Sequence, residues 1–85
     1  GGSDAVPAEI GEAAYSALPA QAAEFLASRG EPCREEKTSA LASTAKKTDA
    51  GCEVEVAAWL ENGESRRLKA SWDDASQTWS FEALQ

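Results

Sequence analysis

The sequence predicts an α+β fold, in which one N-terminal helix, kinked at a proline, packs on one face of a three- to four-stranded antiparallel β-meander. Apolar residues recur at helical spacing between residues 7 and 30, whereas side chains alternate between apolar and polar from residue 52 to residue 84. The segments TDAG, ENG and DASQ fall between the alternating stretches and are typical of turns. With 85 residues, the chain suffices for one domain with a thin core.

The helix is predicted over DAVPAEIGEAAYSALPAQAAEFLASRG, beginning at Asp4 or just after it. Pro19 removes one helical hydrogen bond, so it either kinks the helix or splits it in two. The apolar stripe continues through Pro19, which favours one kinked helix. Gly30 is expected just past the last turn, where Pro32 prevents continuation. The predicted core positions of the helix are Ile10, Ala14, Leu18, Ala22, Phe25 and Leu26, with Tyr15 beside them.

The segment between Pro32 and Cys52 is compatible with two structures, because Leu41 is its only large apolar residue. TSALAST fits an edge strand protected by the lysines at 37, 46 and 47. SALASTAKK fits a short helix capped by Thr38 or Ser39. Because the TDAG turn leads into the next alternating stretch, we expect the strand.

The alternation of the last three strands fixes their register. A two-residue Asn-Gly loop would set the apolar face of one strand against the polar face of the next. A three-residue loop over residues 61–63, with Gly63 in the left-handed region, pairs Val56 with Leu68 instead. A loop over residues 74–77 then pairs Trp72 with Trp79. The face predicted to lie under the helix comprises Cys52, Val54, Val56, Ala58, Leu60, Leu68, Ala70, Trp72, Trp79, Phe81 and Ala83.

The same register places Trp59 on the opposite, outer face of the sheet. Its predicted companions there are four charged residues: Glu53, Glu55, Arg67 and Lys69. Glu55 faces Lys69, and Lys69 faces Glu82, which are favourable cross-strand pairs. Trp59 either packs on the aliphatic stems of Arg66 or Arg67, or under the segment of Leu41. Alternatively, it is an aromatic anchor for a protein partner.

Cys33 and Cys52 are the two cysteines of a small acidic chain, and we interpret them as a disulfide that ties the end of the helix to the sheet. A disulfide implies an extracytoplasmic location: the periplasm, the cell envelope or secretion. The chain opens with GGS and contains no methionine. We therefore interpret residues 1–6 as a cleavage scar or linker, with a possible anchor upstream, and residues 7–85 as one domain.

The composition argues against several functions. A net charge of −7 disfavours nucleic acid, which requires a basic face, and no apolar run is long enough for membrane insertion of this segment. The absence of histidine removes the usual base and metal ligand, and Asp73 and Asp74 are expected in an exposed turn. No glycine-rich loop could cradle a phosphate. We therefore expect no enzyme, no cofactor and no metal, and a monomeric domain that binds a protein partner.

The leading interpretation is thus a non-enzymatic, extracytoplasmic interaction domain of a secreted protein, a periplasmic protein or a lipoprotein. Two alternatives accompany it. A helix ending in AAEFLASRGEPC before a β-meander resembles the head of a type IV pilin without its hydrophobic stalk, which implies a structural subunit of a surface assembly. The resemblance covers the order of elements and little sequence, and pilins usually close a disulfide near the C-terminus. The second alternative is an acidic inhibitor or immunity protein that neutralises a basic partner.

Overall fold

The computed structural model describes residues 7–84. They form one helix, α1 (Glu12–Ser28), followed by four strands, β1 (Cys33–Lys47), β2 (Gly51–Leu60), β3 (Ser65–Asp73) and β4 (Thr78–Leu84). The strands make one antiparallel sheet in chain order, and α1 packs on one of its faces. The predicted α+β fold is thereby confirmed. The linker predicted over residues 1–6 lies outside the described residues, as does Gln85.

Helix α1 begins later than predicted but is continuous. The Ile10 amide donates to the Pro7 carbonyl at 3.0 Å, so a separate turn precedes the helix, which starts at Glu12 after Gly11. Pro19 lies inside the single helix, as the uninterrupted apolar stripe predicted. The buried residues recur every four positions, which lays one narrow stripe against the sheet: Ile10, Ala14, Leu18, Ala22 and Leu26.

The C-terminus of α1 has the predicted glycine cap. Gly30 adopts a φ of +77°, and its amide donates to the Ala27 carbonyl at 3.0 Å. The Glu31 amide donates to the Leu26 carbonyl at 2.9 Å, which completes a Schellman motif. The chain therefore leaves the helix in a fixed direction and enters β1 at Cys33.

The undecided segment is a strand, and it is longer than TSALAST. Its pairing with β2 is interrupted twice, between Cys33 and Thr38 and between Leu41 and Lys46. In each interruption β1 advances five residues while β2 advances two, so both are irregular bulges. Within the second, the Glu55 amide donates to Thr44 Oγ1 at 2.8 Å, and this hydroxyl replaces a carbonyl of the regular ladder.

The predicted register of β2, β3 and β4 is confirmed. Val56 lies opposite Leu68, and Trp72 lies opposite Trp79. The first loop has three residues, closed by the Leu60 amide donating to the Glu64 carbonyl at 2.7 Å, and Gly63 has a φ of +93°. This positive φ explains the glycine, because other L-residues are strained there.

The core between α1 and the sheet contains two tryptophans from the inner face. The rings of Trp72 and Trp79 lie 5.4 Å apart, and both side chains are buried. The indole N–H of Trp72 donates to Asp74 Oδ1 at 2.9 Å, and that of Trp79 donates to the Ala14 carbonyl at 2.7 Å. Both polar handles are satisfied, so burial of the rings carries no penalty for a lost hydrogen bond.

The predicted disulfide is wrong, because the long β1 strand separates the two cysteines. Cys33 lies opposite Leu60, whereas Cys52 lies opposite Lys47 at the other end of β2. Leu60 and Cys52 are eight positions apart on β2, which corresponds to about 26 Å of extended strand. A disulfide requires Cα atoms within about 7 Å. Both residues are free thiols: Cys52 is buried, and Cys33 is half-buried.

Candidate protein-interaction surface

Trp59 is exposed on the outer face of the sheet, as the register predicted. It lies near the end of β2, opposite Ser65 on β3, and 55 % of its surface is accessible to solvent. Within residues 7–84 no other large hydrophobic side chain is exposed. The three tryptophans are thus of two kinds, two in the core and one on the surface.

The four charged residues predicted beside Trp59 share this face and form two ion pairs. Of the four, Arg67 is a diagonal neighbour of Trp59, whereas Glu55 and Glu53 lie four and six positions away along β2. Arg67 contacts Glu55 at 3.1 Å, and Lys69 contacts Glu53 at 3.3 Å. We name Trp59 with these four residues the outer-face cluster. The prediction had Glu55 facing Lys69, and the backbone register agrees, but the side chains pair diagonally. Diagonal neighbours lie within reach of long side chains on a twisted sheet.

The ion pairs orient the charged residues of the outer-face cluster, of which Glu53 is the most buried, with 18 % of its side chain exposed. The side chains of Arg67 and Lys69 are 49 % and 43 % exposed. Exposed pairs of this kind contribute about 0.2 to 1 kcal/mol each. Their effect is mainly to define where positive and negative charge lies along the outer face that leads to Trp59.

Arg66 and Leu41, two of the proposed packing partners of Trp59, both lie away from its ring. Arg66 has the same parity as the buried Leu68 and therefore points to the helix side of the sheet. There its guanidinium contacts Glu31 at 2.8 Å and Glu64 at 2.7 Å, and hydrogen bonds to Glu64 and then Glu31 raise the pKa of Arg66. Leu41 lies on the outer face but opposite Glu55, four positions along β2 from Trp59.

An open groove of about 550 Å³ runs beside Trp59. Its basic wall is contributed by β1, through Arg34 and Lys37, and Glu61 lies on the loop side. Among residues 7–84, Lys37 has no carboxylate within 4.0 Å, and Arg34 has one at 3.8 Å, that of Glu36. Sequence reasoning missed this groove, because it depends on the placement of the charged first part of β1, for which no alternation could be recognised.

The reactive and ligating side chains of the described residues lie away from this surface or apart from one another. The thiol whose pKa is raised, Cys52, is buried on the helix side, and its burial is the main cause of the shift. In the described part of the chain, no group of three His, Cys, Asp or Glu residues is placed to hold a metal ion. An exposed aromatic side chain on a face that also carries oriented ion pairs can bury its apolar surface and align charge against a partner.

Comparison of the chain with models of protein families, with curated proteins and with solved structures finds no match. None of the helices between residues 7 and 84 is long and apolar enough to cross a membrane.

Proposed function

We propose that this chain is a non-enzymatic protein-interaction domain whose contact surface is the outer-face cluster around Trp59. The observation that carries the proposal is the 55 % exposure of the Trp59 side chain. Tryptophan is among the residues most enriched in the energetic centres of protein interfaces. Removing the apolar surface of this ring from water would contribute favourable free energy to the binding of a partner.

The residues around Trp59 support the same function. Arg67, opposite Ala57, is a diagonal neighbour of Trp59, and Glu55, Lys69 and Glu53 continue the polar surface from there along the outer face. An apolar contact flanked by polar residues is a usual arrangement of an interface. The groove formed with Arg34 and Lys37 adds a concave region next to the ring. A partner that inserts an apolar side chain into this groove would contact both the Trp59 ring and the residues that line the groove.

Photo-crosslinking tests the location of the surface directly. We would introduce p-benzoylphenylalanine at Ala57, which lies on the outer face opposite Arg67, and irradiate the natural protein in its native cells. The matched control carries the same group at Ala20, an exposed position on α1. We expect a protein adduct from position 57 that is lost when Trp59→Ala is added. Adducts from position 20 alone would contradict the proposal.

An acidic inhibitor of a basic partner is a second candidate, favoured by the net charge of −7. It differs from the first in its response to salt, because long-range attraction between opposite net charges is screened within about 10 Å at 0.1 M salt. Binding of the crosslinked partner that weakens steeply with salt would favour the inhibitor. Binding that is insensitive to salt would favour a contact centred on Trp59.

The extracytoplasmic location remains a prediction, now without the disulfide as its support. Fractionation of the native cells, with immunodetection in each fraction, would test it. Recovery in the cytoplasmic fraction would contradict this location and leave the proposed contact surface intact.

A further inference from the structure

The two edges of the sheet differ in how they are protected against pairing with another strand. An unprotected edge presents a row of backbone donors and acceptors to any extended chain. The β1 edge is irregular, with two bulges, and carries lysines at 37, 46 and 47. Bulges and lysines are the usual means of preventing edge-to-edge contact.

The β4 edge has none of these features. It pairs with β3 from Asp73–Thr78 to Arg67–Leu84 without a register shift. Its sequence, TWSFEAL, contains no lysine, arginine or proline. Its one charged residue, Glu82, lies on the outer face. The β4 strand is therefore a regular and open edge.

The direction of the free backbone groups on β4 follows from one hydrogen bond. The Trp79 amide donates to Gln21 Oε1 of α1 at 2.9 Å, and so points away from β3. Since amides alternate along an antiparallel strand, those of Phe81 and Ala83 point the same way. No residue between 7 and 84 supplies them with an acceptor. At Trp79, the Gln21 side chain already occupies the position that a carbonyl of a fifth strand would take.

An apolar groove of about 710 Å³ follows this edge between α1 and β4. Its centre is the pair of half-buried rings Phe25 and Phe81, whose centroids lie 5.3 Å apart. The groove offers side-chain space on the helix side of any strand that pairs with β4. It lies across the sheet from the outer-face cluster and is independent of the proposed function.

We propose that the β4 edge binds an extended peptide segment of a partner, which adds to the sheet as a fifth strand and alternates apolar with basic side chains. Its apolar residues face Phe81 and Phe25 in the groove. Its lysine or arginine lies opposite Glu82 on the outer face, a favourable cross-strand pair. Glu24 on the groove wall and the net charge of −7 favour the same basic partner, although Arg29 lies over the Phe25 ring.

Charge disfavours a second copy of this chain at the edge, most strongly in the register that sets Glu82 opposite Glu82. If Phe81 of one copy pairs with Ala83 of the other, the two Glu82 side chains face each other directly. Like charges in that position are destabilising. Each copy also carries the net charge of −7.

The test is an NMR titration of the uniformly ¹⁵N-labelled chain with acetyl-Thr-Val-Lys-Val-Lys-Val-Thr-amide. We expect shifts along β4 and slower hydrogen exchange at the amides of Phe81 and Ala83. A peptide with glutamate in place of both lysines is expected to bind about tenfold more weakly. In Glu82→Lys the preference between the two peptides should reverse.

Two further measurements separate strand addition from other binding. The same peptide N-methylated at its three central residues retains the side chains but lacks the donors, and we expect no saturable binding. Equal binding of that peptide would overturn the proposal, as would no binding of the parent peptide up to millimolar concentration. Shifts confined to the outer-face cluster would also overturn it while supporting the proposed function. Self-association through β4, detected by sedimentation, would identify a second copy as the occupant and reject the peptide.

Discussion

Trp79 joins the last strand to the first turn of the helix, through a hydrogen bond of 2.7 Å from its indole N–H to the carbonyl of Ala14. The Trp79 amide is bound as well, by the side chain of Gln21 at 2.9 Å. Two polar contacts and a buried ring thus hold α1 on β4, across more than fifty residues of sequence. Loss of the Trp79 side chain should therefore loosen the packing of the helix on the sheet.

Trp79→Phe should lower the free energy of unfolding by about 2 kcal/mol, through the lost hydrogen bond and the smaller ring in a closely packed site. Urea denaturation followed by circular dichroism measures the change. Trp59→Phe is the matched control, because the Trp59 ring is exposed, and its effect should stay within about 0.5 kcal/mol. Equal effects of the two substitutions would contradict the division of the tryptophans into core and surface.

Gly51→Ala should destabilise the fold by about 1 to 3 kcal/mol, as expected when a group is forced into a filled site. A Cβ at this position would lie 2.5 Å from the backbone oxygen of Trp72, which cannot move without shifting β3. Gly11→Ala is the control, since nothing lies within 4 Å of its added Cβ and its φ is −66°. Thermal unfolding of both variants tests the prediction, and comparable melting temperatures would refute it.

The two thiols should react at different rates in the folded protein. Cys33 is half-buried and Cys52 is 2 % exposed. We expect Ellman's reagent to modify one thiol per chain under native conditions and two in denaturant. The Cys33→Ser variant should lose the native reaction. If neither thiol reacts in the unreduced, denatured protein, the two cysteines form a disulfide after all. That result would contradict their separation along β2.

Stability should fall in alkaline solution because of Cys52. Burial, followed by the charge of Asp74, raises the pKa of this thiol above 9.0, while a hydrogen bond from the Gly11 backbone and the charge of Lys47 oppose the shift. The folded state then retains a proton that the unfolded state has lost, so the free energy of unfolding decreases as pH rises above about 9. Denaturation between about pH 8 and pH 10 should show a smaller decrease for Cys52→Ala than for the natural chain. Parallel curves would remove Cys52 as the cause.

Much of the sheet could be predicted from the sequence, because its determinants are local. Alternation in β2, β3 and β4 assigns each side chain to a face, and a shift of one residue would expose the whole core. That constraint alone selected the three-residue loop and the outward position of Trp59. The glycine cap of α1 is equally local, since Gly30 and Pro32 mark the helix end by their own backbone preferences.

What depends on contacts between distant elements could not be predicted. The sequence by itself determined the order of elements, the register of three strands and the two kinds of tryptophan, through periodicity and turn chemistry. The tertiary structure decided the length of β1, whose charged residues 34–37 lie in the bulge between the two positions, Cys33 and Thr38, that pair with β2. Because β1 runs along the whole of β2, Cys33 and Cys52 lie at opposite ends of that strand. The same long strand supplies Arg34 and Lys37 to the groove beside Trp59, and its bulges make β4 the more regular edge. The contacts of Gln21 with Trp79 and of Glu31 with Arg66 likewise exist only once helix and sheet have met.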